Sequence, residues 1–386
     1  MPKNTTMHSK SWWWTQYPGL GGDVSILFIG PCAIYAHCIK LCVDNNISFL
    51  AVDIKDNHQR DDRIMLRRNR KAKEMMSERN FAQEYVHIVD PFVVENLDAF
   101  DFWLNNHKFI PDTVFCHSEA LNALHLEKHI NEKFKCKSHI DDRAIDFFAY
   151  KTKQDRVCRD LGIPVPNKIG RSIIVKRNYR DTWSEPLVIP KIRLRDSTYV
   201  ATEGEFTQEW IDIQYIYNCS VYIDSFGDWY LVFNNRLVCE YSIPYAGENP
   251  YFPTPNILQQ LLEIISPLQK AISVKKRFLM IQIMQPRNSD KLLYMETNCR
   301  PSTEFNWVRN ESRSTFDPYS HMVFEKSLPN AFQFDKVLHT DLVFNSIKHK
   351  MNHSLLSSAE IWDDWGNNWS GKEEAILDGA YIPIKL

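Results

Sequence analysis

Residues 24–54 read as strand, helix, strand. VSILFIG (24–30) is a short apolar run rich in β-formers, PCAIYAHCIKLCVDNN has apolar residues at helical spacing, and ISFLAVDIKD is apolar again up to Asp53. Two strands joined by a helical crossover within about 30 residues must run parallel. A parallel sheet is stable only with both faces covered by helices. The expected fold class is therefore α/β, with a doubly wound N-terminal domain. TVFCHSEA, after Pro111-Asp112, reads as a further strand and turn.

Composition removes several function classes. A formal net charge of −2 offers no basic field for nucleic acid. No apolar run reaches the length of a membrane span, and MPKNTTMHSKSWWWTQ lacks the apolar core and cleavage site of a signal peptide. The nine cysteines form no CxxC pair, and Cys38 and Cys42 read as small core residues, so a reducing cytoplasm is the expected setting. Asp53 stands where a dinucleotide fold places its ribose-binding acid. The turn GPCAIYAH carries no G-x-G-x-x-G, which argues against a nicotinamide oxidoreductase. The basic stretch from Arg60 to Arg79 reads as a solvated helix face. His125 and His129 stand four apart without the HExxH pattern or a third ligand.

At 386 residues the chain is long enough for two or three domains. The first boundary falls near residue 145. A helix is expected from Lys151 to Leu161, stopped by Gly162 and the prolines that follow. SIIVKR is a strand ending in Lys176–Arg177, and VYIDSFGDWYLVFNNRLVCEY is a hairpin around Phe226-Gly227-Asp228. NILQQLLEIISPLQKAISV is a helix, and RFLMIQIMQPRNSDKLLYMETNCRPS is a second hairpin turning near Arg287–Asp290. This order suits an α+β domain. The tail carries a helix near His321–Ser327 and then reads as irregular and Trp/Asn-rich, expected to pack, with lining of the acceptor site or a homodimer contact as the alternatives.

The second hairpin concentrates polar groups. Gln282 lies among apolar residues on its first arm, and Glu296, Asn298 and Arg300 alternate on its second, so the hairpin sets all four on one face. A solvated strand face could show such a triplet. Two oxygen donors beside a fixed cation also suit Mg²⁺ shared with phosphate oxygens, with Arg300 where charge builds during phosphoryl transfer.

The spacing resembles the metal hairpin of the ATP-grasp superfamily, in the branch related to carbamoyl-phosphate synthetase and small carboxylate–amine ligases. Gln282 precedes Glu296 by fourteen, followed by E-x-N-x-R. Lys151 stands eleven before Gly162 in GIPVP, which resembles the family's first phosphate-binding lysine. Lys176 in IIVKR resembles the second, with Lys191 in VIPKIR as its rival. Gln208, Glu209, Trp210 and Ile211 resemble the adenine hinge, and Asp212 or Gln214 the ribose contact. Arg236, Glu248 and residues near Trp307 are the expected substrate contacts, with Arg236 and Arg300 expected as catalytic.

The resemblance implies a pre-ATP-grasp domain (1–145), a small lobe (146–212), a large lobe holding the metal site (213–325) and a C-terminal extension (326–386). It implies ATP with Mg²⁺ or Mn²⁺ held by Gln282, Glu296 and Asn298. The implied activity joins a carboxylate to an amine or other nucleophile through an acylphosphate, on small-molecule substrates. Two departures stand out. Between Lys176 and Gln208 the only glycine is Gly204, so Arg177, Arg180, Arg193 or Arg195 would do what loop amides do elsewhere, and Tyr150 replaces the usual acid or amide before the first lysine. A nucleotide-binding relic serving as sensor or scaffold is the alternative that the poor glycine content supports.

Overall fold

The computed structural model describes residues 24–30, 32–54, 73–168, 173–179, 191–194, 200–202, 204–240, 243–301, 317–344, 360–362 and 367–386. In chain order the N-terminal elements are β1 (Ser25–Ile29), α1 (Cys32–Asp44), β2 (Ser48–Ile54), α2 (Lys73–Gln83), β3 (Val86–Val89), α3 (Pro91–Glu95), α4 (Leu97–Asn106), β4 (Thr113–Cys116), α5 (Leu121–Phe134) and β5 (His139–Ile140). The first four strands form a parallel sheet in the order β3-β2-β1-β4. Side chains on β1 alternate between two cores. Ile26 and Phe28 pack with Tyr35, Cys38, Ile39 and Cys42 of α1, whereas Leu27 and Ile29 pack with Phe100 and Leu104 of α4 and Leu126 and Ile130 of α5. Both faces are thus covered, as the strand–helix–strand reading required. Gly30 ends β1 at φ +124, a conformation that side chains rarely adopt, and a Cβ there would meet the backbone of His117 at 3.6 Å.

The rest of the chain is α6 (Asp142–Ala149), α7 (Lys151–Asp160), β6 (Ile173–Arg177), β7 (Lys191–Leu194), β8 (Glu205–Glu209), β9 (Ile213–Ile223), β10 (Trp229–Glu240) and β11 (Ile243–Asn249). There follow α8 (Pro255–Ile265), α9 (Leu268–Ala271), β12 (Val274–Lys275), β13 (Arg277–Pro286), β14 (Leu293–Asn298), α10 (Pro318–Phe324), β15 (Phe332–Phe344), β16 (Glu360–Trp362), β17 (Asn367–Tyr381) and β18 (Ile384–Lys385). Strands β6, β7, β8 and β16 make a small sheet in the order β16-β7-β6-β8. The large sheet runs β14-β13-β9-β10-β11-β15-β17, with β18 pairing β10.

The helix expected over Lys151–Leu161 is α7, ending where Gly162 takes φ +71 and Ile163 N donates to Cys158 O at 2.8 Å. Both expected hairpins form, as β9–β10 and β13–β14. The single helix expected over 256–274 is broken at Ser266-Pro267 into α8 and α9. The tail departs most from expectation: β15 and β17 are long antiparallel strands rather than irregular chain. Register shifts at Phe334/Lys336 and Leu338/Thr340 break the two-residue alternation, and β17 lies at the edge of the sheet, where polar residues are tolerated. The basic run between 55 and 72, the loop 180–190 with Arg180, and Arg195 and Trp307 lie outside the described residues.

Candidate active site between the two lobes

Strand pairing builds one wall of a cleft. Lys176 on β6 lies opposite Phe206 on β8, and Ile174 opposite Gln208, so Lys176, Phe206 and Gln208 share a face of the small sheet. With Lys151 of α7, Pro166 and Met295 they line an opening between the small sheet and the edge of the large one. Two ammonium groups, an amide and apolar walls are chemistry suited to a flat ring attached to a polyanion. Lys191, the rival to Lys176, stands on β7, one strand further from β8. Glu209 is engaged locally: its N–H donates to Asn167 O at 2.7 Å, and its carboxylate accepts from Asn167 Nδ2 at 2.8 Å. Trp210 and Ile211 carry the chain from β8 to β9, with Ile211 against the cluster containing Ile213 and Ile216. Asp212 accepts from Arg287 Nε at 3.2 Å, and Gln214 lies on β9.

The floor comes from the large sheet. Gln282 on β13 lies directly opposite Glu296 on β14 and, on its other side, opposite Asn218 on β9. Gln282 Nε2 donates to Asn218 Oδ1 at 2.9 Å. The Glu296 carboxylate meets Lys151 Nζ at 2.8 Å. What aligns that pair is Gln154, one turn along α7. Its Oε1 accepts from Thr297 N at 3.0 Å and Tyr294 Oη at 2.8 Å, and its Nε2 donates to Thr297 O at 2.9 Å. The start of α7 is closed by Asn178, whose carbonyl accepts from Lys151 N at 2.8 Å and whose Oδ1 accepts from Thr152 N at 2.9 Å. Asn178, just past β6, thus satisfies the first turn of α7, where Tyr150 offers no side-chain cap bond.

Asn298 and Arg300 are gathered by a residue the sequence reading passed over. With its amide oriented by its neighbours, Asn298 Nδ2 donates to both oxygens of Glu119, at 2.8 and 3.2 Å. Arg300 Nε lies 3.4 Å from Glu119 Oε1. Glu119 sits between β4 and α5, where the parallel sheet ends. The signal available beforehand was its place just past the C-terminal end of a parallel strand, where ligands of such sheets collect. Beneath it, Arg277 of β13 is ion-paired with Glu127 of α5, both buried, joining the N-terminal domain to the large sheet. His117 is also buried, and burial, then the Arg277 and Arg300 charges, lower its pKa to about 3, so its ring is neutral at pH 7.

Gln282, Glu296 and Asn298 therefore share one region with Lys151, Arg300 and Glu119. Carboxylate and amide oxygens are the donors a hard divalent cation takes. Among the described residues no three His, Cys, Asp or Glu side chains form a metal cage by themselves. Such a donor set fits an ion that completes its shell on phosphate oxygens and water.

Arg236 is not brought to this region, which corrects the expectation that it reaches the reacting centre. It lies opposite Tyr217, one residue out of step with the Asn235–Asn218–Gln282 row, and so on the other face of the large sheet. There its guanidinium stacks on Tyr215 and Tyr251, 4.7 and 4.4 Å from the ring centroids, and donates to Glu248 at 2.7 Å. Glu248 is turned away from the cleft with it. Asp53 is fully buried and accepts from Ile54 N at 2.8 Å, in no position to reach a ribose. His129 is held by Asp101 at 3.1 Å, and His125 is exposed.

A parallel-sheet domain is followed by a cleft between a small antiparallel sheet and a large one. No protein-family model matches the chain. No curated protein sequence matches it either. Solved structures do. N5-carboxyaminoimidazole synthetase from Staphylococcus aureus superposes with a TM-score of 0.61 at 12% identity over 92% of this chain and 94% of that one. The carboxyaminoimidazole ribonucleotide synthase of Aspergillus clavatus, complexed with ATP, gives 0.60 at 12% over 85% and 84%. Biotin carboxylase from Campylobacter jejuni, in a β,γ-ATP complex, gives 0.53 at 13% over 84% and 76%. The chain has the ATP-grasp fold. Among the described residues no helix is long and apolar enough to cross a membrane.

Proposed function

We propose that the chain is an ATP-dependent ligase that joins a small-molecule carboxylate to a nitrogen nucleophile through an acylphosphate, releasing ADP and phosphate. The observation that carries this reading is the convergence of Lys151 of α7 with Glu296, Asn298 and Arg300, on β14 and just past its end, at the mouth of the cleft that Lys176 and Gln208 line. The ATP-bound neighbours of the same fold support the nucleotide.

Lys151 and Lys176 would bind the nucleotide's phosphates, and the 208–211 hinge its base. Asp212, tied to Arg287, is less free than Gln214 to meet the ribose. Mg²⁺ would be held by Glu296, Asn298 and Gln282, and would supply charge neutralisation on the phosphates. In the first step a carboxylate oxygen of the substrate bonds to the γ-phosphorus, and the bond to the β-phosphate oxygen breaks, releasing ADP. In the second the nucleophile's nitrogen bonds to the acyl carbon, the carbon–oxygen bond to phosphate breaks, and the nitrogen loses a proton. Arg300, gathered beside Asn298 by Glu119, would stabilise the charge on the transferring phosphoryl group.

ADP release should require both Mg·ATP and a carboxylate, and hydroxylamine should trap the acyl group as a hydroxamate. Lys151→Met and Glu296→Gln should abolish both signals. Nucleotide binding without carboxylate-dependent ADP release would instead favour the sensor or scaffold reading.

A further inference from the structure

Strand β14 has β13 on one side and, among the described residues, no strand on the other. Backbone groups on such an edge need partners from elsewhere when they are buried. Thr297 is 1% exposed. It lies opposite Ile281 of β13, yet its N–H donates to Gln154 Oε1 at 3.0 Å and its carbonyl accepts from Gln154 Nε2 at 2.9 Å, so both groups point away from β13. Exchange of two such bonds with one residue is what an antiparallel neighbour supplies. The Gln154 carboxamide thus stands in for one residue of a missing strand. Three residues earlier, Tyr294 N donates to Pro164 O at 2.8 Å, a second tie, made by the loop after α7. That loop is fastened back to α7 by Arg159, which donates to Pro166 O at 2.6 Å and to the Asp155 carboxylate at 2.9 and 3.0 Å.

Glu296 lies between the two ties. Its carboxylate meets Lys151 Nζ, and Lys151 stands one turn before Gln154 on α7. The carboxamide therefore sets the height at which α7 sits along β14, and with it the approach of Lys151 to Glu296. Few side chains could do the same. A carboxamide offers a donor and an acceptor side by side. Methionine matches the length of glutamine but bonds to neither backbone group. Asparagine carries the right groups on a stem one carbon shorter. A glutamate carboxylate would accept from Thr297 N and from Tyr294 Oη, as Gln154 Oε1 does, but would set its charge against the Thr297 carbonyl.

We propose that Gln154 is a positioning residue for phosphoryl transfer. By completing the edge of β14 it holds Lys151 and Glu296 at the separation that lets one meet the nucleotide's phosphates and the other the divalent cation. Gln154 lines the cleft, but its part is played through Lys151 and not by contact with the nucleotide. A small displacement of a charged group from its productive place costs catalysis and binding heavily. The proposal rests on the ligase reading for the phosphates and the cation, whereas the bonds between Gln154 and β14 do not depend on it.

The test is a double-mutant cycle in the full-length protein, read by calorimetric titration with Mg²⁺ and a non-hydrolysable ATP analogue. Gln154→Met should weaken binding at least tenfold in the parent, and less than twofold when added to Lys151→Met, where no ammonium is left to place. Equal losses in the two backgrounds overturn the proposal, because a general structural role or a direct nucleotide contact would act whether or not Lys151 is present. So does a parent affinity that Gln154→Met leaves unchanged. If Gln154→Met does not fold, Gln154→Asn goes through the same cycle under the same limits. Hydrogen exchange gives a second readout without nucleotide: the Thr297 amide should exchange at least tenfold faster in the Gln154 variant than in the parent, and an unchanged rate overturns the strand-edge role. Failure of every form, the parent included, to bind the analogue would instead refute the ligase reading, and the exchange rate would then decide the edge bonds alone.

Discussion

The Glu127–Arg277 pair permits a prediction with a worked magnitude. Side-chain exposure is 1% for Glu127 and 4% for Arg277, and the pair spans the junction between α5 and β13. One oxygen of the carboxylate and one terminal nitrogen of the guanidinium lack partners, so the contact is single-pronged and only partly offsets desolvation. Burial alone drives the Glu127 pKa up and Arg277 opposes it, while the carboxylate in turn raises the guanidinium pKa. Glu127→Gln would leave the arginine charged and uncompensated. Breaking a buried pair from one side costs about 3–5 kcal/mol. With a urea dependence of about 3 kcal/mol/M, the unfolding midpoint should fall by about 1–2 M. Replacing both partners by apolar groups, as in Glu127→Leu with Arg277→Met, should recover most of that loss, since neither charge remains to be desolvated. The assay is equilibrium urea unfolding followed by tryptophan fluorescence. If the single variant costs under about 1 kcal/mol, or the double variant is no better than the single, the pair is not desolvated as argued.

Other outcomes follow from the same geometry. Lys151→Met should weaken Mg·ATP binding at least tenfold in a calorimetric titration, because it removes the proposed phosphate contact and the ammonium that sits 2.8 Å from Glu296. Arg236→Ala should lower the urea midpoint by about 1–2 kcal/mol equivalent through loss of its two ring contacts, yet leave Mg·ATP affinity unchanged; a tenfold affinity loss would return Arg236 to the reacting centre. His117 stays neutral in the fold down to about pH 3, whereas the unfolded chain takes up its proton near the ordinary value of 6.5. Stability should therefore fall as pH drops between those values, by about 1.4 kcal/mol per pH unit from this group, and His117→Asn should flatten that slope in urea midpoints taken at several pH values. Burial raises the Glu325 pKa, but hydrogen bonds from Lys276 and Lys137 outweigh it and hold it below 4.5. Its contribution is present above that value and lost on further acidification, so Glu325→Gln should reduce the acid sensitivity of the same midpoints.

Local signals were legible where one element decides them. Gly162 stops α7 because a left-handed residue costs glycine nothing, and the two hairpins follow from β-rich arms around polar turns. The facing of Gln282 and Glu296 was also readable, since both lie on one hairpin and its turn sets the register. The tail strands were not, because bulges shift their alternation and their partners are remote in sequence.

The residues of the candidate site divide in the same way. Lys151 is named by its resemblance to the ATP-grasp phosphate lysine, whereas Gln282, Glu296, Asn298 and Arg300 could be grouped from spacing, because they belong to one hairpin whose periodicity aims them. Glu119 could not, for it meets Asn298 only when the end of a parallel strand is set against the edge of another sheet. Nor could the fate of Arg236, which depends on whether residue 235 or 236 of β10 falls opposite Asn218. Periodicity within a segment is written in the chain itself. Which face of a sheet meets a cleft is decided by pairing between distant strands, where one residue of slip moves every side chain to the other side.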